Sequence, residues 1–149
     1  MQRPPHPKAP GLAAGITEPM IHELVHRFYG DVRRDPLLGP VFNARVTDWD
    51  EHLEKLCAFW SSVVLMTGNY KGRPMPVHIG IREISPEHFE RWLKLFRTAA
   101  RSVCPANAAS LFIDRAEKIA SSLYLGIALH RGEGPAVTPP DFGEPGART

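Results

Sequence analysis

Apolar side chains recur at helical spacing in four stretches of the chain. The third stretch repeats them over four turns, at Phe89, Trp92, Leu93, Phe96, Ala99, Ala100 and Val103. The first and last stretches carry a similar stripe, formed by Ile21, Leu24, Val25, Phe28 and Val32 and by Leu111, Phe112, Ile119, Leu123, Tyr124 and Ile127. The second stretch, Trp49 to Met66, has apolar residues on more than one face, so we expect cover on two sides. No segment alternates as a strand does, and the pattern predicts an all-α fold with four main helices.

Polar residues with capping ability stand where three of these helices should begin. Thr17 precedes the first stretch, Asp48 with Glu51 makes a capping box before the second, and Ser85-Pro86-Glu87 opens the third. The pair Asp35-Pro36 ends the first helix. The short apolar segment Val41-Phe42 is predicted to be too brief for an element of its own.

The length of 149 residues predicts one domain with two unstructured ends. More than half of the 15 prolines lie near the termini, where apolar periodicity is absent. We therefore expect a disordered tail over residues 1–15, a folded domain over residues 16–132, and a second disordered tail over residues 133–149.

The composition argues against several classes of function. A net charge of +2 from 18 basic and 16 acidic residues forms no basic stripe, which argues against a nucleic-acid partner. Cys57 and Cys104 form no Cys-x-x-Cys motif, so neither a zinc knuckle nor covalent haem attachment is indicated. No apolar run approaches the roughly 20 residues that span a bilayer, and no secretion signal is visible. We expect a cytoplasmic protein, monomeric or weakly dimeric, without membrane contact.

The connection between the second and third helices, Thr67 to Pro86, is unusual for a loop. Its glycines and prolines exclude a long helix, yet Val77 and Ile79 flank His78 with apolar groups that need cover. A flat apolar cofactor would supply that cover. We hypothesise that this cofactor is haem and that His78 binds its iron, because a neutral imidazole can ligate haem iron.

Several motifs, in their order along the chain, resemble the truncated haemoglobin family, and within it the third group. They are Phe28-Tyr29, Gly39-Pro40-Val41-Phe42-Asn43, Glu51-His52, Phe59-Trp60, Tyr70-x-Gly72-x-Pro74 followed by His78, and Phe89-x-x-Trp92-Leu93-x-Leu95-Phe96. The resemblance spans nearly all of the expected domain. It implies the shortened two-over-two globin fold, in which a long loop carries the proximal histidine.

Carried over by position, the resemblance assigns roles around a non-covalent haem b. It makes His78 the proximal ligand and places Tyr29, His52 and Trp92 on the distal side. Phe42 would pack against the ring, and we add Phe28 and Leu56 to the predicted cofactor contacts. Hydroxyl, indole and imidazole donors on the distal side would stabilise the negative charge that develops on bound oxygen.

The implied function is binding of diatomic ligands, namely oxygen, nitric oxide and carbon monoxide. Three distal donors favour slow oxygen release, which suits oxygen, nitric oxide or peroxide chemistry better than storage. Such chemistry needs electrons, and the sequence resembles no flavin or nicotinamide domain, so a separate reductase would have to supply them.

His88 is the main rival to His78 as an iron ligand, because it lies close to the Trp92 side of its helix. Its place one residue inside a capped turn matches no ligand position of the family.

The alternative function is a zinc-dependent hydrolase. The segment His22-Glu23-Leu24-Val25-His26 fits the helical His-Glu-x-x-His motif of zinc peptidases. The two histidines should face solvent, however, and the extended form of the motif is absent, so we interpret the match as chance.

Overall fold

The computed structural model describes residues 3–70 and 85–130, which form six α-helices. They are α1 (Pro10–Ala13), α2 (Glu18–Arg34), α3 (Leu38–Arg45), α4 (Trp49–Leu65), α5 (Pro86–Val103) and α6 (Ala106–His130). The predicted all-α class is confirmed. His78 and the C-terminal tail over residues 133–149 lie outside the described residues.

The four helices expected from the apolar stripes are α2, α4, α5 and α6. Helix α5 packs along α6, and α2 packs against both α4 and α5. The core between them is built around stacked aromatic rings: Trp60 and Phe96 lie 5.1 Å apart, and Phe112 packs edge-on against Trp60 at 5.7 Å. All three side chains are buried. Truncating such a side chain to alanine typically costs about 3–5 kcal/mol, so these rings account for much of the fold's stability.

The start of α2 follows the predicted capping chemistry. The Met20 backbone N–H donates to Thr17 Oγ1 at 3.3 Å, and Pro19 lies in the first turn, where it removes no intrahelical hydrogen bond. Helix α4 starts in the same manner, because the Glu51 N–H donates to Asp48 Oδ1 at 3.2 Å.

The N-terminal segment differs from the disordered tail expected over residues 1–15. Helix α1 packs against α4, and Gly11 is buried so close to the Val64 carbonyl that a Cβ there would collide with it. The His6 N–H also donates to the Leu65 carbonyl at 2.9 Å. A single short turn leaves little periodicity in the sequence, since its burial depends on the surface of α4.

Helix α3 replaces the short irregular segment expected around Val41-Phe42. Gly39 allows the helix to form at this point, because a Cβ at residue 39 would lie 2.8 Å from the Arg33 carbonyl oxygen. The Gly39 N–H donates to the Asp35 carbonyl at 2.8 Å, which turns the chain directly from α2 into α3. Phe42 is thereby brought beside α2.

A buried ion pair joins the turn between α2 and α3 to α5. The Asp35 carboxylate, only 2% exposed, accepts from Arg91 Nε at 2.6 Å and from the backbone N–H groups of Leu37 and Leu38 at 3.0 and 2.9 Å. Burial alone would raise the pKa of Asp35, but these hydrogen bonds and the guanidinium charge lower it. The pair fixes α5 against the end of α2.

The chain leaves α4 through a hydrogen-bonded segment. Met66 takes the left-handed conformation at the helix end, with φ 52°, and Gly68 two residues later also has a positive φ, 70°. Beyond it, Thr67 Oγ1 lies 2.8 Å from Ser61 Oγ, which donates to Glu18 Oε2 at 3.0 Å. The Tyr70 N–H donates to Ser62 Oγ at 2.9 Å. These bonds hold residues 67–70, the described start of the connection that carries His78.

Candidate functional site

Five aromatic or imidazole side chains gather where α2, α3, α4 and α5 meet. We call this set the distal cluster: Tyr29, Phe42, Trp49, His52 and Trp92. The Tyr29 ring is buried, and its centroid lies 6.1 Å from that of Phe42, 6.3 Å from that of Trp49 and 6.4 Å from that of His52. Four of the six described helices therefore contribute to one site.

Tyr29 and Trp92 are joined by a side-chain hydrogen bond. Burial raises the pKa of Tyr29 well above its ordinary value, and the bond from Trp92 offsets only part of that rise, so the hydroxyl stays protonated. An indole N–H can only donate, and the Tyr29 oxygen must therefore accept. The phenol proton is not used in this bond and is available for another acceptor.

A row of rings fixes the orientation of Trp92. Its indole stacks on Phe96 at 5.6 Å with an angle of 15°, and Phe28 packs edge-on against it at 5.2 Å. Phe96 in turn stacks on the buried Trp60. The donor of Trp92 is therefore held by the hydrophobic core, which limits its rotation.

Phe42 and Trp92 of the distal cluster, like other large apolar side chains at the rim of the core, are only half-buried in the part of the chain that the structure describes. These rim side chains include Phe42, Leu56, Phe59, Val63, Trp92 and Leu123. Exposed apolar area of this kind is costly unless another group covers it. Next to one hydroxyl and one indole donor, such a surface fits a flat, largely apolar group that binds a small polar ligand.

The family model described as bacterial-like globin matches residues 13–124 of the chain. The chain belongs to this globin family. It is 36% identical over 110 residues to the group 3 truncated hemoglobin ctb of Campylobacter jejuni, with 71% of this chain and 87% of that protein covered. These findings confirm the resemblance to the third group of truncated haemoglobins.

Solved structures agree with this assignment. The group III truncated hemoglobin from Campylobacter jejuni has a TM-score of 0.72 at 34% identity, covering 75% of this globin and 91% of that chain. The group II truncated hemoglobin from Bacillus anthracis has a TM-score of 0.67 at 27% identity, covering 79% and 92%. The two-over-two globin fold is thereby confirmed, and membership of a globin family implies haem binding.

The structure brings together four of the residues that the sequence assigned to the site of this globin: Tyr29, Phe42, His52 and Trp92. Phe28 touches both Tyr29 and Trp92, but its side chain is fully buried, so it lies behind the two donors. Leu56 is half-buried one turn after His52, at the rim of the core. The proposed iron ligand, His78, is outside the described residues.

Trp49 is a member of the distal cluster that the sequence analysis treated only as an apolar helix position. It is the first residue of α4, and its ring centroid lies 5.6 Å from that of His52. The spacing of three residues between Trp49 and His52, which puts both on one helix face, was the available signal.

His88 has a role in the start of α5. Its Nδ1 atom accepts from the Ser85 backbone N–H at 3.1 Å and lies 2.9 Å from Ser85 Oγ. This arrangement resembles a capping box with histidine in place of glutamate. It favours a structural role for His88 over iron binding.

The zinc alternative is not supported. His22 and His26 are exposed, with their rings stacked 4.0 Å apart. Within residues 3–70 and 85–130, no group of three or more His, Cys, Asp or Glu side chains could hold a metal ion. Within the same ranges, no helix has both the length and the apolar character needed to cross a membrane.

Proposed function

We propose that this globin binds haem b non-covalently, that His78 would hold its iron, and that Tyr29, His52 and Trp92 would stabilise oxygen bound to it. The observation that carries the proposal is the gathering of buried Tyr29 with Phe42, Trp49 and His52 in one aromatic cluster, with Trp92 bonded to the phenol. A tyrosine needed only for packing gains little from a buried hydroxyl, whereas a site for a polar diatomic ligand requires a donor.

The cofactor, when bound, supplies an iron atom that takes up oxygen, nitric oxide or carbon monoxide. The residues present fit it: half-buried Phe42 and Leu56 offer apolar contact, and covalent attachment through Cys-x-x-Cys-His is absent from the sequence.

The distal groups differ in what they contribute. Trp92 donates to Tyr29 Oη and thereby orients the phenol, whose own proton is available to a ligand that gains negative charge on binding. Burial lowers the effective dielectric, which strengthens such a bond compared with one in water. His52 is half-buried at the edge of the cluster, where its imidazole can donate a hydrogen bond or control access from solvent.

The Tyr29 donor, oriented by Trp92 and flanked by the His52 imidazole, favours chemistry on bound oxygen over simple storage, because a hydrogen bond to the ligand slows oxygen release. We therefore propose turnover of nitric oxide or peroxide with electrons from a separate reductase. The expected setting is the cytoplasm, with the globin as a monomer or weak dimer.

The test begins with haem titration of the purified chain. We expect one haem per chain, a strong absorption band at the blue edge of the visible, and a ferrous form that binds oxygen and carbon monoxide reversibly. Steady consumption of nitric oxide in the presence of a flavin reductase would support turnover. A folded chain that takes up no haem would refute the proposal.

A further inference from the structure

Trp49 is fixed more tightly than a half-buried surface residue normally is. Its indole N–H donates to Asn43 Oδ1 at 3.2 Å, and Asn43 Nδ2 donates to the Arg33 carbonyl at 3.2 Å. The Arg33 guanidinium lies over the indole ring, 4.7 Å from its centroid, which is cation–π distance. The indole is thus tied to the end of α2 and to α3 as well as to its own helix.

The same indole also contacts two other members of the distal cluster, His52 and Tyr29. The ring meets His52 edge-on, at 5.6 Å and 84°, and lies 6.3 Å from Tyr29 at 45°. His52 itself stands edge-on to Tyr29 at 6.4 Å and 85°. Any movement of the imidazole away from Tyr29 or toward solvent must therefore change its contact with Trp49.

We propose that Trp49, oriented by Asn43 and Arg33, is a positioning residue that holds the His52 imidazole against Tyr29 and so limits ligand access to the distal pocket. This inference rests on the proposed function, because it concerns the same pocket. In this role Trp49 does not contact the ligand. Its effect acts through His52.

The strength of the ring contact sets the size of the effect. Aromatic pairs of this geometry are worth about 0.5–1.5 kcal/mol, which corresponds to about a 2- to 12-fold change in the fraction of His52 held in place. We expect carbon monoxide association after flash photolysis to be faster by about that factor in Trp49→Ala. Asn43→Ala should act in the same direction with a smaller effect, because the ring remains but loses its anchor.

A double-mutant cycle separates positioning from packing. Trp49→Ala is measured in the native background and in a His52→Ala background, and Trp49→Phe serves if the alanine variant folds poorly. If Trp49 acts through His52, its effect on the association rate disappears once His52 is gone. An equal effect in both backgrounds, or unchanged kinetics with only a lower melting temperature, would overturn the inference.

Lys55→Ala is the matched control. Lys55 lies on the same helix, is exposed and pairs with the also exposed Glu51 at 3.1 Å. We expect its association rate and the carbon–oxygen stretching bands of its carbon monoxide complex to match those of the native protein. Redistribution of those bands in Trp49→Ala, but not in Lys55→Ala, would support a change in the position of His52.

Measurements on the haem-free protein test this inference separately from the proposed function. Imidazole NMR signals of His52 should show contacts with the Trp49 ring and should shift in Trp49→Ala and Asn43→Ala. A chain that binds no haem refutes the proposed function, whereas His52 signals that do not respond to either substitution refute the positioning role.

Discussion

Replacing Tyr29 by phenylalanine tests the distal site with the smallest possible change. The substitution keeps the ring that packs against Phe28, at 4.6 Å, and against Phe42, at 6.1 Å. It removes only the hydroxyl, which accepts from Trp92 and, in the proposed site, donates to the bound ligand. The fold should therefore survive, and changes in ligand kinetics can be attributed to the lost hydrogen bonds.

The size of the change follows from hydrogen-bond energetics. A hydrogen bond to a charged or strongly polarised group contributes about 1.5–3 kcal/mol, which would accelerate oxygen release about 10- to 150-fold. The Trp92 N–H loses its acceptor in the variant and can donate to the ligand instead. We therefore expect oxygen release to be about 10-fold faster in Tyr29→Phe, near the lower end of that range. Release should be faster still in the double variant that also carries Trp92→Phe.

The assay is stopped-flow displacement of oxygen by carbon monoxide in the reduced protein. Carbon monoxide release should change by less than about 3-fold, because that ligand gains little negative charge and accepts only weak hydrogen bonds. Tyr124→Phe is a matched control, since Tyr124 lies on α6 and packs against Phe89 outside the distal cluster. An oxygen release rate in Tyr29→Phe equal to that of the control would refute the reasoning.

Three further predictions concern the scaffold. Asp35→Asn should lower the free energy of unfolding at pH 7 by about 1.5–3 kcal/mol, the value of a hydrogen bond to a charged group, because the partner Arg91 is partly exposed. Since the folded pKa of Asp35 is lowered, this difference is complete above about pH 4 and shrinks as the pH falls through the folded value. Urea unfolding at several pH values measures it. Gly11→Ala should lower the melting temperature, because the added Cβ collides with the Val64 carbonyl, whereas Gly30→Ala, whose Cβ meets nothing closer than 3.8 Å, should leave it unchanged or raise it. Burial raises the pKa of the Cys57 thiol to about 11, so its alkylation at pH 8 should be about 100-fold slower than that of a free cysteine, and an ordinary rate would contradict the burial.

The parts of the fold that local chemistry determines could be predicted from the sequence. The start of α2 at Thr17 and the start of α4 at Asp48 depend on side chains next to the backbone groups that they cap, and both predictions agree with the structure. The apolar stripe of α5 likewise identified the buried Phe89, Leu93 and Phe96.

Short elements that depend on a close backbone approach or on packing against another helix were missed. Helix α3 forms because Gly39 can approach Arg33 closely, and α1 is held by the surface of α4 around Val64. Neither feature leaves a periodic pattern, since each is too short. The ion pair between Asp35 and Arg91 was also missed, because its members lie 56 residues apart in the sequence.

The candidate site likewise contains residues that the sequence predicted and one that it did not. Tyr29, His52 and Trp92 were assigned through the family resemblance, and the structure brings them together with Phe42. Trp49 was missed because its place in the cluster depends on contacts with Arg33 of α2 and Asn43 of α3, although its spacing of three residues from His52 was a signal that it shares a helix face with that residue.

The central claim is that His78 binds the iron of a haem whose other side faces Tyr29 and Trp92. The most direct measurement is the iron–histidine stretching band in resonance Raman spectra of the ferrous protein, recorded for the native chain, His78→Gly and His88→Gly. We predict that the band is lost in His78→Gly, returns when imidazole is added, and persists in His88→Gly. A band that persists in His78→Gly and disappears in His88→Gly would contradict the account.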